Sequence, residues 1–241
     1  AEKFLNQAHK AAVKINEFLH EEVYPLEKLF LMHQWDELFP ALEEARLKVK
    51  EMGLWAPHMP KDTGGTYTGL VDLALIGETL GQSPLGHFIF GCQAPDAGNA
   101  ELLHLFGTDE QKEKWLTPLV KGEIRSCFAM TEPHTAGSNP TLLDSKAELK
   151  DGMWNINGRK WFTTAADGAN FTIAMVVTDE QAQKHQRASM IIVPTDTQGF
   201  EIIRNISVMG EEGKGYFSHA EVDFNNCRVP KENLLGEVGT G

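Results

Sequence analysis

Two short segments hold most of the residues that could bind a flat, partly polar ligand. They run from Met130 to Ser138 and from Lys160 to Thr164, and each is expected to leave a strand. Both are rich in hydroxyl groups and main-chain donors, and the second adds the rings of Trp161 and Phe162. An aromatic face can pack on a planar heterocycle while neighbouring hydroxyls bond to its edge. The two segments therefore predict a binding site for such a ligand.

Spacing alone also allows a plainer interpretation, and favours it. Phe162 would belong to the core of a sheet, and Thr163 and Thr164 would be present because β-branched residues suit strands. Both interpretations stay open at this point.

Other chemistries lack their motifs. The chain has no GxSxG nucleophile elbow and no phosphate-binding GxxxxGK[ST] loop. The sequence HEEVY at His20 fails the HExxH zinc pattern, because Tyr24 stands where the second histidine would be. The three cysteines (Cys92, Cys127 and Cys227) are widely spaced and form no CxxC pair. We therefore predict neither a metal site nor a disulfide framework.

Charge and hydropathy exclude two classes of protein. The net charge of −12 argues against a duplex nucleic-acid binder, which would need a basic face. No apolar run approaches the roughly 18 residues of a membrane span.

The first ten residues resemble neither a secretory signal nor an Arg-rich transit peptide. We expect a cytoplasmic protein, or a mitochondrial or peroxisomal one if the source is eukaryotic.

Helical periodicity organises the first half of the chain. One amphipathic stripe starts at Phe4 and should end or bend near Pro25. A second spans Leu38 to Met52 and should stop at Gly53, and further helices are predicted over residues 70–81 and 99–106. The last predicted helix begins with a Thr108/Gln111 capping box and ends at Gly122.

Short β-patterns follow. Strands are predicted over residues 145–150 and 153–157 with a turn at Asp151-Gly152, and a second turn is predicted at Asn157-Gly158. Further strands are predicted over residues 171–178, 188–193, 200–206 and 216–224. The fold class is therefore α+β multidomain, a helical bundle followed by an antiparallel β-barrel or sandwich.

The ordered motifs of the second half resemble the acyl-CoA dehydrogenase family. They are Phe128-Ala-Met-Thr-Glu-Pro133, Ala136-Gly-Ser138, Ile156-Asn-Gly158 with Lys160, Gly199-Phe200, Met209-Gly210, and Val229-Pro230 with Asn233-Leu-Leu-Gly-Glu237. The stretch Cys92-Gln-Ala-Pro-Asp96 with Gly98-Asn99 is similar to the branch that contains family member eleven.

The resemblance implies three domains, of which this sequence would hold two. These are an N-terminal all-helical domain (1–123) and a middle β-barrel domain (124–236), followed by the start of a linker (237–241) to a missing C-terminal helical bundle. It implies a homodimer or homotetramer at full length, and electron transfer to an electron-transfer flavoprotein. The catalytic base is expected in the missing bundle, so no residue here is assigned as catalytic. We expect these 241 residues alone to be inactive and to bind the cofactor weakly or not at all.

The cofactor implied by the resemblance is FAD, and the substrate is an acyl-CoA that becomes a trans-2-enoyl-CoA. Phe128, Met130 and Thr131 would line the flavin, and Ser138 would lie near its phosphates or near the pantetheine arm of the substrate. The second wall would consist of Phe162, Thr163 and Thr164, with Thr164 near the reactive N5 edge.

Three departures from the family pattern concern the same two segments. One extra residue is present at His134-Thr135, Asn139 stands where an aspartate is usual, and Phe162 stands where a tryptophan is common. The first two put the CoA side of the site in doubt, whereas the third keeps an aromatic wall. Two other functions remain: a related flavin acyl-CoA oxidase or nitroalkane oxidase, and a non-catalytic assembly module of a flavoprotein complex.

Overall fold

The structure is a computed structural model that describes residues 11–67 and 69–241. The chain forms two compact units, residues 1–97 and residues 98–241. Two positions of the first predicted amphipathic stripe, Phe4 and Ala8, lie outside the described residues. Within the described residues, no helix is both long and apolar enough to cross a membrane.

The first unit is helical. Its elements are α1 (described over 11–18), α2 (Tyr24–Leu31), α3 (Trp35–Glu51), α4 (Leu70–Leu80) and α5 (Gly86–Ile89). The predicted stripe of α3 is buried, with Leu38, Leu42 and Val49 fully inaccessible to solvent. Gly53 follows α3 with φ of 67°, a left-handed conformation that suits glycine.

Pro25 does not end the first helix, contrary to one of the two outcomes predicted for it. The chain continues from α1 through a π-helical turn (Leu19–Val23) into α2, where Pro25 occupies the first turn. The missing N–H of the proline is accommodated within this continuous helix by the wider π-helical turn just before it. The irregularity predicted near Pro25 is present as this wider turn.

The second unit begins with helices, and one of them starts at the predicted Thr108/Gln111 capping box. They are α6 (Asp96–Phe106, which starts two residues before the unit does), α7 (Asp109–Gln111), a π-helical segment (Lys112–Leu116) and α8 (Thr117–Lys121). The capping box is confirmed, since the Thr108 hydroxyl accepts from the Gln111 N–H and the Gln111 side chain accepts from the Thr108 N–H. The Gln111 amide also donates to the carbonyl oxygens of Glu232 and Leu234, at 2.8 Å each.

An eight-stranded sheet fills the rest of the second unit. Its strands are β1 (Ser126–Ala129), β2 (Lys146–Lys150), β3 (Met153–Thr164), β4 (Phe171–Val177), β5 (Ala188–Pro194), β6 (Phe200–Asn205), β7 (His219–Pro230) and β8 (Leu234–Leu235). The order is β6-β7-β3-β2-β4-β5-β8, with β1 beside β4. Neighbours are antiparallel, except that β1 and β2 each pair in parallel with β4. One face packs a core that includes Ile156, Ala174 and Val222.

Two strand boundaries differ from the prediction. Asn157-Gly158 is not a turn but lies inside β3, where a register shift against β7 separates Ile156 from Gly158. A Cβ at Gly158 would lie 2.4 Å from the Cβ of Ser145, so this glycine allows close approach of the chain before β2. The strand predicted from residue 216 starts at His219, because residues 215–217 form a 3₁₀ turn.

The fold class is confirmed: a helical part precedes a sheet of eight strands. The domain limits at residues 123 and 236 stay a prediction. Contacts within the chain place residues 98–121 in the same compact unit as the sheet.

Candidate functional site

The two predicted binding segments lie against each other. The main-chain N–H of Trp161 donates to the carbonyl oxygen of Thr131 at 2.9 Å. The Nζ of Lys160 donates to the carbonyl oxygen of Met130, also at 2.9 Å. The end of β1 and the end of β3 are therefore joined directly, as a site built from both segments requires.

Lys160 is the centre of this junction, and its role was not predicted. Its side chain is fully buried, and Nζ donates to the carbonyl oxygens of Met130 and Met175 and to Oε1 of Glu132, the last two at 2.7 and 2.8 Å. Three donors thus meet three acceptors, which is all that an ammonium group can offer. Burial lowers the pKa of Lys160, and the hydrogen bond and charge of Glu132 oppose that change.

Glu132 is held as firmly as its partner. It is 4% exposed and accepts hydrogen bonds from the main-chain N–H groups of Asp144 and Ser145, at 2.7 and 2.9 Å. Burial alone would raise the pKa of Glu132, but the Lys160 ammonium and these two N–H groups outweigh it, so the pKa is lowered. The pair fixes the start of the first segment to the beginning of β2 as well as to β3.

A β-bulge creates the aromatic part of the site. The pairing of β3 with β7 is interrupted between Lys160 and Thr163, and Trp161 and Phe162 occupy the interruption. Phe162 has φ of 50°, and the residue is 43% exposed. The core position that spacing favoured for Phe162 is therefore wrong, because the extra residue of the bulge turns this ring out of the sheet.

The two threonines after the bulge differ in accessibility. Thr163 is fully buried, and its Oγ1 has no hydrogen-bond partner among the described residues. Thr164 is half-buried, and its Oγ1 lies 2.9 Å from Nδ1 of His219. Thr164 is therefore partly accessible two positions beyond the exposed Phe162, whereas the buried Thr163 could offer a ligand only its main chain.

The first segment presents its predicted residues in two groups. Phe128 in β1 is half-buried, and so are Met130 and Thr131 just beyond it, whereas Ser138 is exposed. A Cβ at Gly137 would lie 3.0 Å from Cγ2 of Thr131, so the segment folds back over Thr131. Ser138 directly follows this close approach to Thr131.

The unusual residues of this segment have local structural roles. The hydroxyl of Thr135, in the pair His134-Thr135 that is expected to hold one extra residue, lies 3.4 Å from Oε2 of Glu132 and is oriented to donate to it. Asn139 accepts from the main-chain N–H of Thr141 and so caps a short 3₁₀ turn, Pro140–Leu142. An amide oxygen performs that capping as well as a carboxylate would. Among the described residues, no group of three or more His, Cys, Asp and Glu side chains could hold a metal ion.

The comparisons agree with this architecture. The acyl-CoA dehydrogenase N-terminal domain matches residues 7–123, and the acyl-CoA dehydrogenase middle domain matches residues 127–227. The chain belongs to the acyl-CoA dehydrogenase family. Membership supports a general oxidoreductase function of the acyl-CoA dehydrogenase type. The family predicted from the sequence motifs is confirmed.

Named relatives support the predicted branch. Acyl-CoA dehydrogenase family member 10 of Mus musculus is 41% identical over 238 residues, and this match covers 93% of the chain and 22% of that protein. Family member 11 of Gallus gallus is 37% identical over 247 residues, covering 98% of the chain and 31% of that protein. The chain thus spans less than a third of the length of either.

A solved structure shares the fold closely. The structure of a putative acyl-CoA dehydrogenase from Mycobacterium abscessus superposes with a TM-score of 0.92 and is 34% identical. The match covers 98% of this chain and 61% of that one. Because these relatives are longer than this chain, the similarity shows the family but does not show the activity of a full-length protein.

Proposed function

We propose that the chain supplies the flavin-binding portion of an FAD-dependent acyl-CoA dehydrogenase. The observation that carries the proposal is the junction of the two predicted segments, which bonds Met130 and Thr131 to Lys160 and Trp161, directly before the exposed Phe162. Family membership supports FAD as the ligand, since acyl-CoA dehydrogenases generally depend on it.

The residues present fit an isoalloxazine ring. An exposed aromatic ring at Phe162 can cover one face of the ring system, and the Thr131 and Thr164 hydroxyls can bond to its polar edge. Phe128, Met130 and the Thr163 main chain would complete the walls. Ser138, which is exposed, would take the phosphates or the pantetheine arm.

FAD would supply the redox chemistry, the acceptance of a hydride from the β-carbon of the acyl group, and the protein would align it with the substrate. The reaction also needs a base for the α-proton. Glu132 cannot serve, because Lys160 and two main-chain N–H groups already occupy its carboxylate. We therefore assign no catalytic base within the described residues and expect the 241 residues alone to turn over no acyl-CoA.

The proposal extends to partners. The substrate would be an acyl-CoA, the electron acceptor an electron-transfer flavoprotein, and the full-length assembly a homodimer or homotetramer. An oxidase on the same scaffold would differ in its acceptor, since it would reduce oxygen directly.

The test uses the polypeptide at its full encoded length. It should purify with FAD, and its flavin absorbance should bleach anaerobically when an acyl-CoA is added. Phe162→Ala should weaken FAD binding about ten-fold or more, the effect of losing one buried aromatic contact. Phe106→Ala is the matched control, because Phe106 is also exposed, at 55%, and lies in α6 outside both segments.

Three results decide the matter. Correctly folded wild-type protein without flavin would contradict the proposal. Rapid formation of peroxide when an acyl-CoA is added in air would favour the oxidase. If the Phe162 and Phe106 variants bind FAD equally well, Phe162 does not contact the flavin, and the FAD site lies outside the two segments.

A further inference from the structure

His219 lies directly opposite Thr164 in the sheet. The two residues are register partners of β7 and β3, at the last pair of that ladder. Their side chains meet through a contact of 2.9 Å between Oγ1 of Thr164 and Nδ1 of His219. Both are half-buried, so the contact lies partly open to solvent at the end of the ladder, two positions beyond Phe162.

This contact restricts what the Thr164 hydroxyl can offer to a ligand. A hydroxyl has one donor and two acceptor positions, and it rotates freely unless a partner fixes it. Burial lowers the pKa of His219, so its ring is neutral at pH 7 and Nδ1 is a donor in one tautomer and an acceptor in the other. In either case the imidazole takes one position of the hydroxyl and directs the remaining ones.

We propose that His219 is a positioning residue, whose Nδ1 sets the direction in which the Thr164 hydroxyl faces the edge of the bound flavin. The inference rests on the proposed function, because it requires a flavin beside Thr164. It adds a residue from β7, a strand that neither binding segment includes. A histidine is not needed to pair β3 with β7, since that pairing is made by main-chain bonds.

The experiment measures the FAD dissociation constant and the visible flavin spectrum of the full-length holoprotein in a double-mutant cycle. Thr164→Val removes the hydroxyl and keeps the shape, and His219→Phe keeps an aromatic ring without its nitrogens. Each should weaken FAD binding about five-fold, the effect of one hydrogen bond, and shift the flavin absorption bands. The double variant should be no weaker than Thr164→Val, because His219 acts only through that hydroxyl.

A conservative variant and a control separate positioning from structure. His219→Asn places an amide near the Nδ1 position and should restore both affinity and spectrum, and it keeps the test decisive if His219→Phe folds poorly. Thr178→Val removes a comparable hydroxyl, which pairs with the Ser189 hydroxyl at 2.6 Å, and should leave the flavin unchanged.

Two outcomes would overturn the inference alone. One is a well-folded His219→Phe holoprotein with wild-type affinity and spectrum. The other is a full His219→Phe effect that persists on top of Thr164→Val. Wild-type protein that holds no flavin would instead overturn the proposed function, and the inference with it.

Discussion

Removing the Lys160 ammonium should destabilise the second unit far more than removing any exposed lysine. Lys160→Met fills much the same volume but leaves the Glu132 carboxylate buried without its cation. Breaking a buried ion pair by removing one partner costs about 3–5 kcal/mol. We expect a loss of that size here, because Lys160 is fully buried, Glu132 is 4% exposed, and Nζ also serves two carbonyl oxygens.

The two charges should be strongly coupled. Glu132→Gln should cost less than Lys160→Met, because the amide oxygen can still accept from a main-chain N–H and Lys160 keeps its two carbonyl acceptors. The double variant should cost less than the sum of the single ones, since neither charge is then buried alone. A coupling energy of about 2 kcal/mol or more is expected for groups in direct contact.

The assay must resolve the second unit, because a chain with two units need not unfold in one step. Native-state amide hydrogen exchange, followed by mass spectrometry on peptides from residues 126–164, reports the free energy of opening for these strands. Lys146→Met is the matched control: Lys146 pairs with Glu180 at 2.7 Å but is 47% exposed, so its loss should change nothing measurable.

The pH dependence of stability tests the same ion pair independently. Because the pKa of Glu132 is lowered in the folded protein, its contribution is complete above the ordinary pKa of 4.5 and disappears as the pH falls through the folded value. Glu132→Gln should lack this part of the pH dependence. A Lys160→Met protein within about 1 kcal/mol of wild type, or single-variant losses that simply add, would refute the reasoning.

Two further predictions concern single sites in each unit. Burial lowers the pKa of His58 to about 4, and neither ring nitrogen has a hydrogen-bond partner among the described residues. The folded protein therefore loses no stability from His58 above pH 6.5, but should lose about 3 kcal/mol as the pH drops to 4. His58→Phe should remove this pH dependence, as measured by native-state hydrogen exchange on peptides around residue 58, and an unchanged pH dependence would contradict the prediction. Gly158→Ala should cost about 2 kcal/mol or more, because its Cβ would meet Ser145 at 2.4 Å and its φ is 143°. Gly152→Ala, with no atom within 4 Å, should cost less by hydrogen exchange, and equal losses would show that backbone conformation alone decides.

Local rules of the chain predicted much of the fold. The Thr108/Gln111 capping box, the stop at Gly53 and the hairpin turn at Asp151-Gly152 each depend on neighbours within a few residues, and all three are present. The Asn157-Gly158 turn was wrong for the opposite reason. The dipeptide has turn chemistry, but what decides its conformation is the approach of residue 145, which no local pattern contains.

The site was predicted to a smaller extent. The two segments were identified by composition, yet the Lys160–Glu132 pair and His219 were missed. A lysine within a strand is expected to face water, and only the carbonyl oxygens of Met130 and Met175 make its burial possible. One indication was available: Trp154, Ile156 and Lys160 stand at even spacings along β3, so strict alternation already placed Lys160 with the core residues.

The bulge in β3 interrupts the alternation of inward and outward side chains, and the candidate site depends on this interruption. Inward residues of a regular strand are two apart, so a core-facing Lys160 would be followed by a core-facing Phe162. In β3 the next inward residue is Thr163, three positions on, with one register shift in between. The extra residue lets Lys160 hold the first segment from inside the sheet while Phe162 faces outward from the same stretch of chain. A regular strand could supply the anchor or the aromatic wall, but these adjacent residues supply both only because the ladder is interrupted.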